Sequence, residues 1–306
     1  MALKDQIALG MSLPHRSPDP IDVGVIRHVA QRAEALGFQD LWVTDNTLDP
    51  ASCFDSLTLL TYAATLTTRI RVGVSVLVLP VRNPIHVAHQ VATLDFVSGG
   101  RVTLGVGLGR DNHYAEFQIP RERRVRRFLE AVDVMKALWT QPQVTYHGQI
   151  FQVEHGTMGP RPVQKPHPPV WLGGGHPDAL RRAAQVADGW MGAGGSSKAA
   201  FAQSVPQIRA ALERAGRDPL TFPMSKRVFM SVHERPEVAR AEVHRWYSTV
   251  YHNPELTDTG GVHGTPEQVR EQLEELVAMG ANHLLLNPVT RYAEQVEALA
   301  AVTGLA

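Results

Sequence analysis

The apolar positions of the chain alternate between two spacings. Short runs of small and β-branched residues, "IALGMSL" (7–13), "DLWVTD" (40–45) and "RVGVSVLVL" (71–79), are each followed by a longer stretch with apolar residues at i, i+3, i+4 and i+7. The first helical stretch runs from Ile21 to Leu36 and stops at Gly37; a second is predicted near 53–66. A third begins with Asn83 as cap and Pro84 as first residue, and ends at Gly99-Gly100. "VTLGVGLG" (102–109) precedes a helix at 121–140, "PVWLGG" (169–174) one at 177–187, and "GWMGA" (189–193) one at 198–215. A strand near 226–232 leads to helices near 235–250 and 266–279, and "HLLLN" (283–287) to a last helix at 291–303.

Eight strands alternating with helices over 306 residues predict a single (β/α)8 TIM barrel, one domain covering residues 1–306. The Pro- and His-rich piece at 141–169 breaks the alternation and is expected to be a small hairpin insertion, with "YHGQIFQV" as its turn and second strand.

Composition narrows the partners. Lys+Arg and Asp+Glu are equal at 30 each, which gives no global pull toward nucleic acid or an anionic membrane and leaves a small-molecule substrate as the expected partner. One cysteine, Cys53, permits neither an internal disulfide nor a cysteine-based zinc cluster, as fits a reducing, cytoplasmic location. The longest apolar run, around 72–81, falls short of the roughly 18 residues a bilayer requires. His86 and His89 lie three apart on one helix with no third ligand near, so no metal site is expected. The run "RERRVRRF" (121–128) is read as a solvated helix face or a subunit contact.

In such a barrel the chemistry sits at the C-terminal ends of the strands. Two of the segments there, "GGGHPD" (173–178) and "GAGGSS" (192–197), are glycine-rich turns running into helices. Helix starts carry unpaired N–H groups and a partial positive charge, and glycines let a phosphate approach the backbone. Gly173, Gly174, Gly175 and His176, with Ala193, Gly194, Gly195 and Ser196, are therefore the expected turns for a phosphate-bearing ligand.

Taken together, "LDFVSGGRVTLGVGLG", "MGPRPVQKPHPPVWLGGG", "ALRRAAQVADGW" and "GANHLLLNP" resemble the bacterial luciferase-like superfamily, especially its branch using coenzyme F420 or FMN. The resemblance covers nearly the whole chain. It implies a flavin-type ring at the strand C-termini, leaning on a bulge in the third strand with a cis peptide at Ser75–Val76. Gly73 and Ser75, which interrupt the packed middle of that strand, are read as room for the kink. In similar deazaflavin dehydrogenases the site after the second strand often reads Asp-His; here it reads Asp45-Asn46. An amide cannot take a proton at neutral pH, although it can orient a carbonyl or nitro group. On the fourth strand's loop, Gly107 and Gly109 bring backbone to the cofactor, Arg110 stands where relatives often carry a glutamate, and His113 is the nearest titratable group. Asn46, His113 and Arg110 are the catalytic candidates. His15, Arg16 and Tyr292 are candidates for the substrate mouth.

The resemblance implies three possible functions: an F420-dependent oxidoreductase, read as a reductase because Asn46 is no base; an FMN-dependent monooxygenase fed by a separate reductase; or a flavin-binding protein without catalysis. It also implies a homodimer.

Overall fold

The computed structural model describes residues Met1–Ala306. Eight parallel strands close into a barrel: Ala8–Ser12, Asp40–Val43, Arg71–Val78, Val102–Gly107, Val170–Gly173, Gly189–Gly192, Met224–Val232 and His283–Pro288. Neighbours in sequence are neighbours in the sheet, and the ring closes where the first strand pairs with the eighth, Ala8 opposite His283. The expected (β/α)8 fold is the observed one.

Local chemistry places the helices around it. Asp22 accepts from the N–H of Gly24 at the start of the helix Val23–Leu36, which ends at Gly37 with φ 94°. Asn83 caps the helix Pro84–Ser98, and Gly99 ends it with φ 70°. Near Cys53 the expected helix starts later, at Ser56, because Asp55 supplies the cap and Ser52–Cys53 pair with Arg16–Ser17 instead. The 121–140 helix also starts later, at Arg124, and a separate short helix, Asp111–Glu116, fills the loop before it.

The insertion is an antiparallel hairpin of Val144–His147 with Gln152–Gly156, so Tyr146 and His147 end its first strand rather than forming its turn. The Glu130 carboxylate holds the turn by accepting the N–H groups of Gln149, Ile150 and Phe151 at 3.0, 2.8 and 3.2 Å. A short strand that sequence reading does not anticipate, Val262–Gly264, lies alongside the seventh barrel strand.

Aromatic bulk plugs the barrel axis. Trp42 and Trp171, 5.5 Å apart, pack with Met191 and Leu285, and Val76 caps the cluster. This corrects the reading of Gly73: a Cβ there would lie 2.4 Å from the Trp42 ring, so the glycine makes way for the indole and not for a kink. The bulge lies two residues further on. Val74 faces Leu104 and Leu77 faces Val106, which leaves one extra residue on the third strand, and within that step the Ser75–Val76 peptide is cis. With the axis filled, the C-terminal mouth holds a cavity formed by the strand ends. No helix is long and apolar enough to cross a membrane.

Candidate active site

A cavity of about 740 Å³ occupies that mouth, and residues from the ends of most strands line it. Asp45, Asn46, Ser75, Val76, Gly107, Gly109, Arg110, His113, Gly173, Gly174, Gly175, His176, Ala193, Gly194 and Gly195 all do so. Val76, Val78, Leu108 and Met191 give it an apolar wall.

The glycines of the lining have distinct causes. A Cβ on Gly107 would stand 2.6 Å from Val76, one on Gly194 2.7 Å from Phe229, and one on Gly195 2.8 Å from Tyr251. Gly174 has φ +139°, which side chains rarely adopt. Gly175 has no such backbone constraint, and a Cβ there would meet only Ser204 Oγ, at 3.8 Å. The backbone N–H groups of Gly175, His176, Gly194 and Gly195 donate to no acceptor in the protein, leaving two turns with free donors at one cavity.

Ser196 is placed otherwise than expected. It lies outside the lining, its hydroxyl donates to Ala193 O at 2.7 Å, and it serves to brace the turn. Behind it stands Lys226, which donates from Nζ to Ala193 O, Ser196 O and Ser196 Oγ at 2.6, 2.9 and 3.0 Å. All three protons of the ammonium are used, and two carbonyls of the turn are drawn toward it. Burial, then the neighbouring charges of Arg227 and Lys198, lower the Lys226 pKa to about 7.

The titratable residues of the lining are largely engaged by the protein itself. Asp45 accepts from Val78 N at 3.0 Å and from Arg82 Nη2 at 2.8 Å, so this carboxylate braces the end of the third strand. His113 is buried, and its Nδ1 accepts the Arg110 N–H at 2.9 Å. An imidazole that accepts at Nδ1 carries its proton on Nε2. Burial first, then the charge of Arg110, holds its pKa below the usual histidine value. His176 is pinned in the same way, Nδ1 accepting from Asp178 N at 3.2 Å as a helix cap. Asp178 pairs with Arg181 at 2.9 Å. Arg110 reaches Asn46, Nη2 to Oδ1 at 3.3 Å.

Several lining residues fall outside the sequence reading. Arg124, from the basic run, turns inward and pairs with Asp111 at 2.6 Å. Arg182, Arg227 and Tyr251 line the cavity as well. Arg16, a candidate for the substrate mouth from the sequence, does line it, paired with Asp49 and with its guanidinium 5.6 Å from the Tyr251 ring centroid. His15 and Tyr292 are buried behind the wall and do not line the cavity. Lys226 and Arg227 did leave a signal: a parallel strand buried on both faces should read as continuously apolar, and two adjacent cations in "MSKRVFMSV" break that rule.

Comparison with known proteins agrees with the fold. Over 233 residues the chain is 28% identical to the F420-dependent glucose-6-phosphate dehydrogenase of Kineococcus radiotolerans, covering 73% of this chain and 68% of that one. The structure of an F420-dependent secondary alcohol dehydrogenase in complex with an F420-acetone adduct superposes with a TM-score of 0.86, at 20% identity, covering 98% and 99% of the two chains. Monooxygenase RslO1 from Streptomyces bottropensis superposes with a TM-score of 0.84, at 21% identity, covering 96% and 98%. The sequence profile described as luciferase-like monooxygenase matches residues 7–259, from the first strand to the helix beyond the seventh, and the chain belongs to that family of enzymes.

Proposed function

We propose that this protein is a coenzyme F420-dependent reductase that delivers a hydride to a small organic acceptor. The observation that carries the direction is the absence of a free base in the cavity. Asn46 is an amide; both oxygens of Asp45 are engaged; Asp178 is paired with Arg181; and His113 and His176 each have Nδ1 occupied by a backbone N–H. Oxidising an alcohol requires a group to take the hydroxyl proton, whereas reducing an activated double bond requires orientation and polarisation of the acceptor and a proton to complete the product, which solvent at the open mouth can supply without a protein base. Asn46 would supply that through its side-chain amide, held at the mouth by Arg110.

The residues fit a flavin-type cofactor. The apolar wall suits a flat ring, the free N–H groups of Gly175, His176, Gly194 and Gly195 suit a phosphate, and Arg110 and Arg182, which pair with no carboxylate, suit an anionic tail. When bound, F420 supplies the hydride. FMN is the second cofactor this cavity would take, and the similarity to a monooxygenase structure keeps an oxygen-dependent reaction, with a separate reductase as partner, as the alternative reading.

Fluorescence titration of the cofactor-free protein with F420 and with FMN separates the two, and tighter binding of F420 is the expected result. Gly175→Val tests the phosphate turn. Its backbone and surroundings accept a side chain, so the melting temperature should stay within a few degrees while cofactor affinity falls by about tenfold or more, as bulk covers the free amides. A collapse in melting temperature with affinity retained would make that glycine structural.

A further inference from the structure

One buried cation in the cavity has no counter-charge. Arg227 is 6% exposed, and no carboxylate lies within ion-pair distance of it. Its Nη1 donates to Ser75 O at 3.0 Å, its Nε to Asn287 Oδ1 at 3.2 Å, and its guanidinium carbon lies 4.6 Å from the Phe229 ring centroid. These contacts engage two of five N–H groups, and Nη2 has no acceptor in the protein. Burial opposes the charge, and so does Arg16 nearby. Asp49 answers the charge of Arg16, which leaves the corner formed by Arg16, Arg227 and Tyr251 with one positive charge in excess. A lone buried guanidinium is strongly unfavourable unless something compensates it.

We propose that this corner is an anion subsite that takes the carboxylate of an organic-acid substrate. The inference rests on the cavity being the substrate and cofactor site argued above. A monoanion cancels one excess charge, whereas a phosphate dianion would leave the corner negative. The cofactor's phosphate already has the free amides of the two glycine turns. Arg227 lies against the third-strand bulge, and a carboxylate seated on its Nη2 would place the rest of a small acid in the open part of the cavity.

The test is binding to the full chain, with and without F420, using trans-cinnamate against trans-cinnamamide and benzoate against benzamide, with inorganic phosphate as a third arm. The acids are expected to bind about tenfold more tightly than their amides and to outcompete phosphate. Arg227→Met should remove that preference while changing the Kd for F420 by no more than about threefold, and Arg227→Lys should keep part of it. Equal affinity of acid and amide for the unmodified chain, including no binding of either up to their solubility, would overturn the proposal whether or not the Met variant folds. So would a loss of F420 affinity in Arg227→Met as large as the loss for cinnamate, which assigns the guanidinium to the cofactor. Titrating F420 and FMN into the same samples keeps the two readings apart. Acid preference without cofactor binding upholds the subsite and removes the F420 reading; cofactor binding without acid preference does the reverse.

Discussion

Replacing Asp40 by Ala should lower the stability of the fold by about 3 to 5 kcal/mol, on the order of a 10 °C fall in melting temperature. Asp40 opens the second strand and is 1% exposed. It accepts from Arg71 Nε at 2.8 Å and from His283 Nε2 at 3.1 Å, while His283 Nδ1 lies 2.7 Å from Ser225 Oγ. Burial pushes the carboxyl pKa up, but the hydrogen bond and charge of His283, together with Arg71, outweigh it and hold Asp40 below the ordinary carboxylate range. Ser225, His283 and Asp40 thus make a relay of the kind hydrolases use. Here it ties three strands together at the N-terminal end of the barrel, where Ser225 is fully buried and no substrate reaches it. Removing the carboxylate leaves an imidazole N–H without a partner in the interior. Asp40→Asn, which keeps the shape and one acceptor, should cost about 1 to 3 kcal/mol. Equilibrium denaturant unfolding of both variants checks the order; equal stability of the Ala variant and the parent would show that the relay is dispensable.

The second large effect is loss of stability in mild acid. His15 is 2% exposed; its Nδ1 donates to Leu13 O at 2.7 Å and its Nε2 accepts from Thr44 Oγ1 at 2.7 Å, which fixes it as a neutral ring. Burial, opposed by the Leu13 hydrogen bond and aided by the charges of Arg227 and Arg16, lowers its pKa to about 3. Below the unfolded value of about 6.5 the unfolded chain binds a proton that the folded chain refuses, so stability falls with pH at about 1.4 kcal/mol per unit. Between pH 6.5 and 5, above the range where most carboxylates titrate, the loss from His15 alone should be about 2 kcal/mol, rising to about 4 kcal/mol by pH 3. His113, also held below the usual histidine value by burial and Arg110, adds in the same direction. His15→Asn should be less stable than the parent at pH 7 but flatter from pH 7 to 5. Unfolding free energies measured across that window give the comparison, and parallel slopes for parent and variant would remove His15 from the account.

These effects also mark how far the sequence could be read. Hydrophobic spacing locates the eight strands within a few residues, because each lies between turn residues and a helical pattern, and the loops after those strands supply most of the cavity lining. The role of Gly73 is not legible for a definite reason: spacing along one strand shows a gap but not the side chain that fills it, and Trp42 comes from the neighbouring strand. Asp45 is legible as a residue of the cavity, but its bonds to Val78 and Arg82 are not, because these partners lie more than thirty residues away and are brought near only by the fold. Arg124 was hidden in a run of arginines whose turn inward depends on Asp111. Tyr251 follows a helix end in a segment with no periodicity to mark it. Arg227 and Lys226 were legible in principle, since charge inside a buried strand needs a reason.

The central claim, reduction by F420 without a protein base, is tested most directly by a two-armed turnover measurement on the purified chain. One arm mixes enzyme and reduced F420 with enones, imines and nitroaromatics, including acids of each kind; the other mixes enzyme and oxidised F420 with alcohols and sugar phosphates. Both follow the absorbance of the oxidised deazaflavin. The account predicts turnover in the first arm only, lowered about 10- to 100-fold by Asn46→Ala, as expected for losing one or two well-placed hydrogen bonds at about 1.4 kcal/mol per tenfold. Turnover confined to the alcohol arm would contradict it, because a group in this cavity that is already hydrogen-bonded within the protein would then be accepting the proton.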